Sequence, residues 1–254
     1  MLTNKIKFNN FLIKNKNSKI KKIYQSLKKN LFKGDLKFMR SMDKNYRYSF
    51  NKNLVNKYRK FSHFRIIGMG GSVLGVEAIY CYLKNKIKKN FYFINNLEKK
   101  INLHNQKKIV NIIISKSGDT LETICNSNII IKNKNNIIIT EQKKNYLNFL
   151  ANKIKADVVE HKNYIGGRYS VLSEVGMLPS ELMGLKENNF KRLNYLIKNK
   201  KFINQLIKNV SSTMNLIKKG KYLSIILNYD NQSENLFKWY QQLIAESLGK
   251  KSNG

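Results

Sequence analysis

Apolar residues enter this chain in short blocks. Residues 64–67, 91–94, 109–114 and 137–140 are runs rich in Ile, Val and Phe, too short for buried helices and too continuous for surface ones. Such runs suit strands of a parallel sheet covered on both faces. The run at 109–114 is broken only by Asn111. Helical patterns lie between the runs: from the glycine-rich 68–72 through Tyr82, over 120–132, and in a lysine-rich stretch from Lys143, before a further short strand near Val158. Strands alternating with helices predict an α/β chain with a doubly wound parallel sheet.

The two ends of the chain are patterned differently. Within residues 1–34, Ile20, Ile23, Tyr24, Leu27 and Leu31 recur at helical spacing, which predicts an amphipathic helix. From 188 to 219, Leu193, Leu196, Ile197, Ile203, Leu206 and Ile207 supply another helical face, and a domain junction is placed near Glu187. Residues 222–227 read as a buried strand, and Ser233 as the cap of a helix running to Leu248. In that helix Leu236, Tyr240, Leu243 and Ser247 share one face, while Trp239, Gln242 and Glu246 lie on the adjoining one.

Small polar residues gather where strands end. The run at 109–114 stops in Ser115, Lys116, Ser117, Gly118, Asp119 and Thr120. Three hydroxyls, an ammonium and a glycine ahead of a helix amino terminus form a cradle for phosphate or carboxylate. The same residues also suit an ordinary strand-to-helix turn in which Asp119 and Glu122 make a capping box. Gly68, Met69, Gly70, Gly71 and Ser72 form a second such turn. Val73 replaces the third glycine of a dinucleotide fingerprint, and the Gly-Lys-Ser/Thr ending of a P-loop is absent. Two such turns predict a ligand site where strand carboxyl ends meet. Arg168, after Gly166 and Gly167, offers a planar fork for an oxyanion or for a structural ion pair. Glu246 is presented beside Gln242 and Trp239, or else pairs with Lys250 at the surface.

Composition narrows the class. At 42% hydrophobic residues the chain is globular, and no apolar stretch approaches the roughly 18 residues of a membrane span, so a soluble protein without a membrane partner is expected. Cys81 and Cys125 are too few for a disulfide framework or a zinc site; they read as core residues of a protein from a reducing compartment, the cytoplasm. The formal net charge of +34 raises nucleic acid as a partner. The lysines, however, are scattered among an equal excess of Asn and Ile, as a biased coding composition would leave them. No specific nucleic-acid partner is therefore expected, only a weak attraction at low salt. Residues 1–34 hold no acidic residue, but they lack arginine and are poor in serine, so they read as a surface helix and not as a transit peptide.

Four stretches carry a resemblance. GMGGSVLG at 68–75, SKSGDTLET at 115–123, GGRYSVLSEVGMLP at 166–179 and WYQQLIAESLGK at 239–250 resemble, in the same order, the glycine loop, the phosphate loop and the two signature regions of the glucose-6-phosphate isomerase (phosphoglucose isomerase) family. That resemblance implies domains of the sugar-isomerase (SIS) type, three-layer α/β/α sandwiches around a parallel sheet. Residues 1–50 would be an N-terminal helical segment, 51–187 a first phosphosugar-binding domain, and 188–254 the start of a second, similar domain.

The resemblance also implies roles. Ser72, Ser115, Lys116, Ser117 and Thr120 would bind a sugar phosphate, and Gly71 would let the backbone approach it. Arg168 would stabilise an enediolate, Glu246 would move a proton between C2 and C1, and Gln242 would contact substrate hydroxyls. A carboxylate partly desolvated by Trp239 and Gln242 suits that proton transfer, which needs neither metal nor organic cofactor. The implied activity is the interconversion of glucose 6-phosphate and fructose 6-phosphate, by a homodimer. The family's ring-opening histidine and a late lysine lie beyond the ESLGK stretch, and none of His63, His104 and His161 matches the first. The chain is therefore expected to be C-terminally truncated relative to the family. The alternative expectation is a noncatalytic phosphosugar-binding module.

Overall fold

The computed structural model describes residues 18–249 apart from 34–35, 44, 98–107, 132–134, 192–195 and 197. His104 and Lys250, and residues 1–17 of the N-terminal segment, lie outside the described residues.

Five strands form one all-parallel sheet: β1 (His63–Gly68), β2 (Asn90–Ile94), β3 (Ile109–Ile114), β4 (Asn136–Thr140) and β5 (Asp157–Glu160). Their order is β2-β1-β3-β4-β5. Among the described residues, helix α1 (Ser18–Lys33) comes first, and five more flank the sheet or follow its strands: α2 (Lys52–Arg59), α3 (Leu74–Tyr82), α4 (Leu121–Ile130), α5 (Tyr146–Ile154) and α6 (Glu174–Leu182). Two more, α7 (Lys200–Lys218) and α8 (Glu234–Leu248), come from the C-terminal part. The expected α/β sandwich is what forms.

The continuous apolar strands are explained by their two covered faces. Ile66, Ile112, Ile114, Ile137 and Ile139 point to one side, where Val55 and Tyr58 of α2, Val76 of α3 and Val175, Leu178 and Leu182 of α6 pack on them. Ile67, Ile113 and Ile138 point to the other, against Ile130 of α4 and Leu147, Leu150 and Ala151 of α5. Full burial of each such side chain contributes about 1.5–3 kcal/mol. Asn111, the one polar break in β3, is fully buried and donates through Nδ2 to Asn136 Oδ1, its register partner on β4, at 2.8 Å. Pairing gives the Asn111 amide nitrogen and the Asn136 side-chain carbonyl oxygen partners that offset part of the cost of their burial.

Several boundaries differ from the sequence reading. Residues 222–227 form no strand: they lie in an extended stretch without regular structure, with Leu223 93% and Ile225 83% exposed. An apolar, β-prone run becomes a strand only beside a neighbour that completes its ladder, and none of the described residues pairs with it. The lysine-rich helix starts at Tyr146, not Lys143, because Asn145 caps it by accepting from Asn148 N. Ser233 precedes α8 but its hydroxyl donates to Asp230 Oδ2 instead of capping the helix.

Helix α8 returns to the flank of the sheet through α3. α8 packs along α3, with Asn235 Nδ2 3.0 Å from Cys81 Sγ and Trp239 reaching Gly75. α1 packs on α7. No helix among the described residues is long and apolar enough to cross a membrane.

Candidate active site

Sheet order places the site. β1 is followed by β2 on one side and β3 lies on the other, so the winding reverses between β1 and β3. Ligands of open α/β sheets bind in the crevice at such a reversal, outside the strand carboxyl ends. Gly68 and Ile114, the last residues of β1 and β3, are register partners. The glycine turn and the hydroxyl-rich loop therefore leave the sheet side by side.

In the loop after β3, the buried Ser115 hydroxyl lies 2.8 Å from Thr120 Oγ1 and 3.4 Å from Ser117 Oγ, and Ser117 and Thr120 are 3.5 Å apart. Gly118 N donates to Ser115 Oγ and Asp119 N to Ser117 Oγ. The three hydroxyls thus converge at the amino terminus of α4, whose dipole favours an anion there. The capping box does not form: Thr120 holds the cap position without a side-chain bond to the helix backbone, and Asp119 Oδ1 accepts from Tyr146 N at the start of α5. Lys116 stands apart from the hydroxyls, with Nζ donating to Asn163 O at 2.7 Å and 3.6 Å from Glu141 Oε1.

The turn after β1 is pressed against a second turn. A Cβ on Gly71 would lie 2.3 Å from the Gly167 carbonyl carbon and 2.7 Å from Arg168 N, closer than any side chain tolerates. Ser170 Oγ straddles the contact, 2.7 Å from Gly167 O and 3.1 Å from Gly71 O. Ser72 completes the turn ahead of α3, its N donating to Met69 O.

α8 brings the third part. Gln242 Nε2 lies over Gly70, 2.9 Å from where a Cβ there would stand, and donates to Glu246 Oε1 at 2.7 Å. Arg168 Nη1 donates to Glu246 O at 2.9 Å and to Glu246 Oε2 at 3.2 Å. Glu246 is thus held by Arg168 and Gln242, and its side chain remains 44% exposed.

Residues that matched the glycine turn, the hydroxyl loop, the arginine turn and the last helix now stand in one region. The family model for phosphoglucose isomerase matches residues 39–253. The chain belongs to the phosphoglucose isomerase family. It is 33% identical over 232 residues to the glucose-6-phosphate isomerase of Methanocaldococcus jannaschii, a match covering 81% of this chain and 55% of that protein. It is 28% identical to a probable glucose-6-phosphate isomerase of Methanococcus maripaludis, over 94% of this chain and 59% of that one. The chain thus spans somewhat over half the length of these two curated relatives. Among solved structures, a hypothetical protein from Thermus thermophilus superposes with a TM-score of 0.71 at 22% identity, covering 92% of this chain and 61% of that one. A glucose-6-phosphate isomerase from Chlamydia trachomatis superposes with a TM-score of 0.60 at 21% identity, over 78% of this chain and 43% of the other. These likenesses support the fold.

The phosphoglucose isomerase signature also contains a residue that sequence reasoning passed over. Tyr169 lies beside Arg168, whose guanidinium carbon is 5.1 Å from the ring centre, and packs at a tilt of 41° against Phe38, ring centres 4.8 Å apart. Arg168 draws the Tyr169 phenol below its ordinary pKa, against burial and with help from Ser247. Tyr169, followed by Glu246, in turn holds the guanidinium above its ordinary value. Two polar atoms of the cluster, Arg168 Nε and Gln242 Oε1, are buried without a protein partner, so their hydrogen-bonding capacity is not spent within the fold. His161, next to the end of β5, is buried with Nδ1 3.1 Å from Lys162 O, and burial pushes its pKa down. His63 starts β1 at the opposite end of the sheet.

Proposed function

We propose that this protein interconverts glucose 6-phosphate and fructose 6-phosphate through an enediol. The reading rests above all on the pairing of Arg168 with Glu246, 78 residues apart, beside the anion loop at the β1/β3 reversal. The names of the relatives agree with it.

In this reading Ser115, Ser117, Thr120 and Ser72 hold the sugar phosphate, with Lys116 part of the same loop, and Gly71 keeps the floor of the site free of side chain. Glu246 takes the proton from C2 and returns it to C1. Arg168 meets the negative charge that appears as the proton leaves, an interaction stronger in the transition state than in the ground state. Gln242 orients the Glu246 carboxylate through its 2.7 Å bond and turns its buried carbonyl oxygen toward substrate hydroxyls. The resemblance also implies a homodimer, which native mass spectrometry would count, and the free Cys81 and Cys125 suit the reducing cytoplasm.

Exchange of the C2 hydrogen with deuterated solvent tests the reading. Glu246→Gln is expected to slow exchange by about 10²–10⁴-fold, the usual contribution of a positioned base, while fructose 6-phosphate affinity is largely kept. Near-normal exchange in the variant would remove Glu246 from this role. Binding without exchange in the unsubstituted protein would favour a noncatalytic phosphosugar-binding module.

A further inference from the structure

Lys116 is the cation of the anion loop, and its charge does not join the hydroxyls. Its ammonium donates to Asn163 O, just after β5, and lies 3.6 Å from Glu141 Oε1, just after β4. Glu141 is only 14% exposed at its side chain, and its other oxygen accepts from Lys143 Nζ at 3.0 Å. The Lys116 carbonyl is held from the same side, accepting from Glu141 N at 3.2 Å and from Thr140 Oγ1 at 3.4 Å. Further bonds join the same two segments: Leu147 N donates to Gly118 O and Tyr146 N to Asp119 Oδ1. Gly118 has φ +77°, and a Cβ there would lie 2.2 Å from the Asn145 side chain, so the loop fits flush against the β4–α5 turn.

We propose that Lys116 is a positioning residue: its ammonium braces the anion loop to Glu141 and the Asn163 carbonyl, and the sugar phosphate is met by the hydroxyls of Ser115, Ser117 and Thr120. This inference rests on the reading that the loop receives a sugar phosphate. Turning the ammonium to the phosphate would break its bond to Asn163 O and leave the largely covered Glu141 side chain with Lys143 alone. Keeping it in place fixes the loop backbone, so the hydroxyls and the α4 amino terminus are already aimed when the anion arrives. Preorganisation of this kind lowers the ordering cost of binding.

The sign of one substitution separates a brace from a direct ligand. If Lys116 braces the loop, Glu141→Gln weakens it and fructose 6-phosphate affinity falls. If Lys116 meets the phosphate and Glu141 competes for it, the same substitution frees the ammonium and affinity rises. Calorimetry with fructose 6-phosphate and with inorganic phosphate, on the full chain, measures this directly. We expect Lys116→Met and Glu141→Gln each to weaken binding by about three- to tenfold, the range of one ordinary hydrogen bond lost, and the double variant to be no weaker than Lys116→Met. We expect Lys116→Arg to recover part of the loss and the ligand-free melting temperatures to stay together. Unchanged or tighter binding in Glu141→Gln overturns the inference, as do additive losses, or losses that merely follow a fall in melting temperature. Failure of the unsubstituted chain to bind fructose 6-phosphate would overturn the reading of the site itself, and the brace with it.

Discussion

Gly71 is where the two halves of the site touch. Its backbone lies against Gly167 and Arg168 so closely that even a methyl group must displace one turn from the other. Because Arg168 follows directly, that displacement carries the guanidinium away from Glu246. We expect Gly71→Ala to lower kcat/KM for isomerisation by about 10²-fold, the cost typical of a misplacement near 1 Å, as read in a coupled spectrophotometric assay. A loss under about threefold would show that the contact does not position Arg168. Ser170→Ala removes only the hydroxyl bonds to Gly71 O and Gly167 O, and should cost stability by about 0.5–1.5 kcal/mol. Most of this was legible in the sequence as residue types: a glycine where backbone must approach, an arginine whose fork reaches a carboxylate, hydroxyls ahead of a helix. The direction of Lys116 was not. Its partners Glu141 and Asn163 belong to the ends of other strands, and no spacing within SKSGDT reports them.

Elements were legible to the degree that their environment is symmetric. β3 announces itself because both faces are covered, so its isoleucines need no alternation. Residues 222–227 carry the same signal and fail, because strand formation depends on a neighbouring strand and not on apolar content alone. α6 shows a further dependence on distant partners. Its first residue, Glu174, is fully buried, with Tyr46 OH donating to both carboxylate oxygens at 2.9 Å and Ser49 N donating to Oε1. At the other end of α6, burial and the neighbouring Glu187 raise the Glu181 pKa to about 7, while the bond from Glu181 holds Glu187 low. A carboxyl group with a raised folded-state pKa binds its proton more tightly folded than unfolded, so it stabilises the fold below the ordinary value near 4.5. That contribution is lost as pH rises through about 7. Glu187 is shifted the other way, so its contribution is full above the ordinary value of 4.5 and is lost only on acidification below it. Glu181 is therefore expected to lower the melting temperature between about pH 5 and pH 8, opposed by the buried His161, whose lowered pKa favours the fold as pH rises, and Glu181→Gln to flatten or reverse the decline across that window. An equally steep decline in the variant would place its origin elsewhere.

For the whole molecule, the dominant quantity is the net charge of +34, and the fold distributes it unevenly. Residues 1–34 and 188–229 contain no acidic residue, and it is α1 and α7, from these two segments, that pack on each other. The scatter of lysines along the sequence suggests a uniform background, but scatter in sequence does not fix scatter in space. Lys21, Lys22 and Lys29 of α1 and Lys200, Lys201 and Lys218 of α7 are all exposed in this two-helix layer. Carboxylates elsewhere locally offset the field: Glu141 does so for Lys116 and Lys143, and Asp157 for Lys57. Phosphodiester chains should therefore associate without sequence preference, and chiefly at the α1–α7 layer. Fluorescence anisotropy with a labelled oligonucleotide is expected to show affinity falling steeply with salt, since each neutralised phosphate contributes a slope of about −0.7 to −0.9 in log K against log salt. Replacing Lys21, Lys22 and Lys29 by Gln should lower that slope more than replacing Lys52, Lys60 and Lys153, which lie outside the layer. Equal losses from the two sets would mean that the attraction follows net charge alone. Fructose 6-phosphate should leave the complex intact, because the anion loop lies at the strand ends and its lysine is already engaged with Glu141.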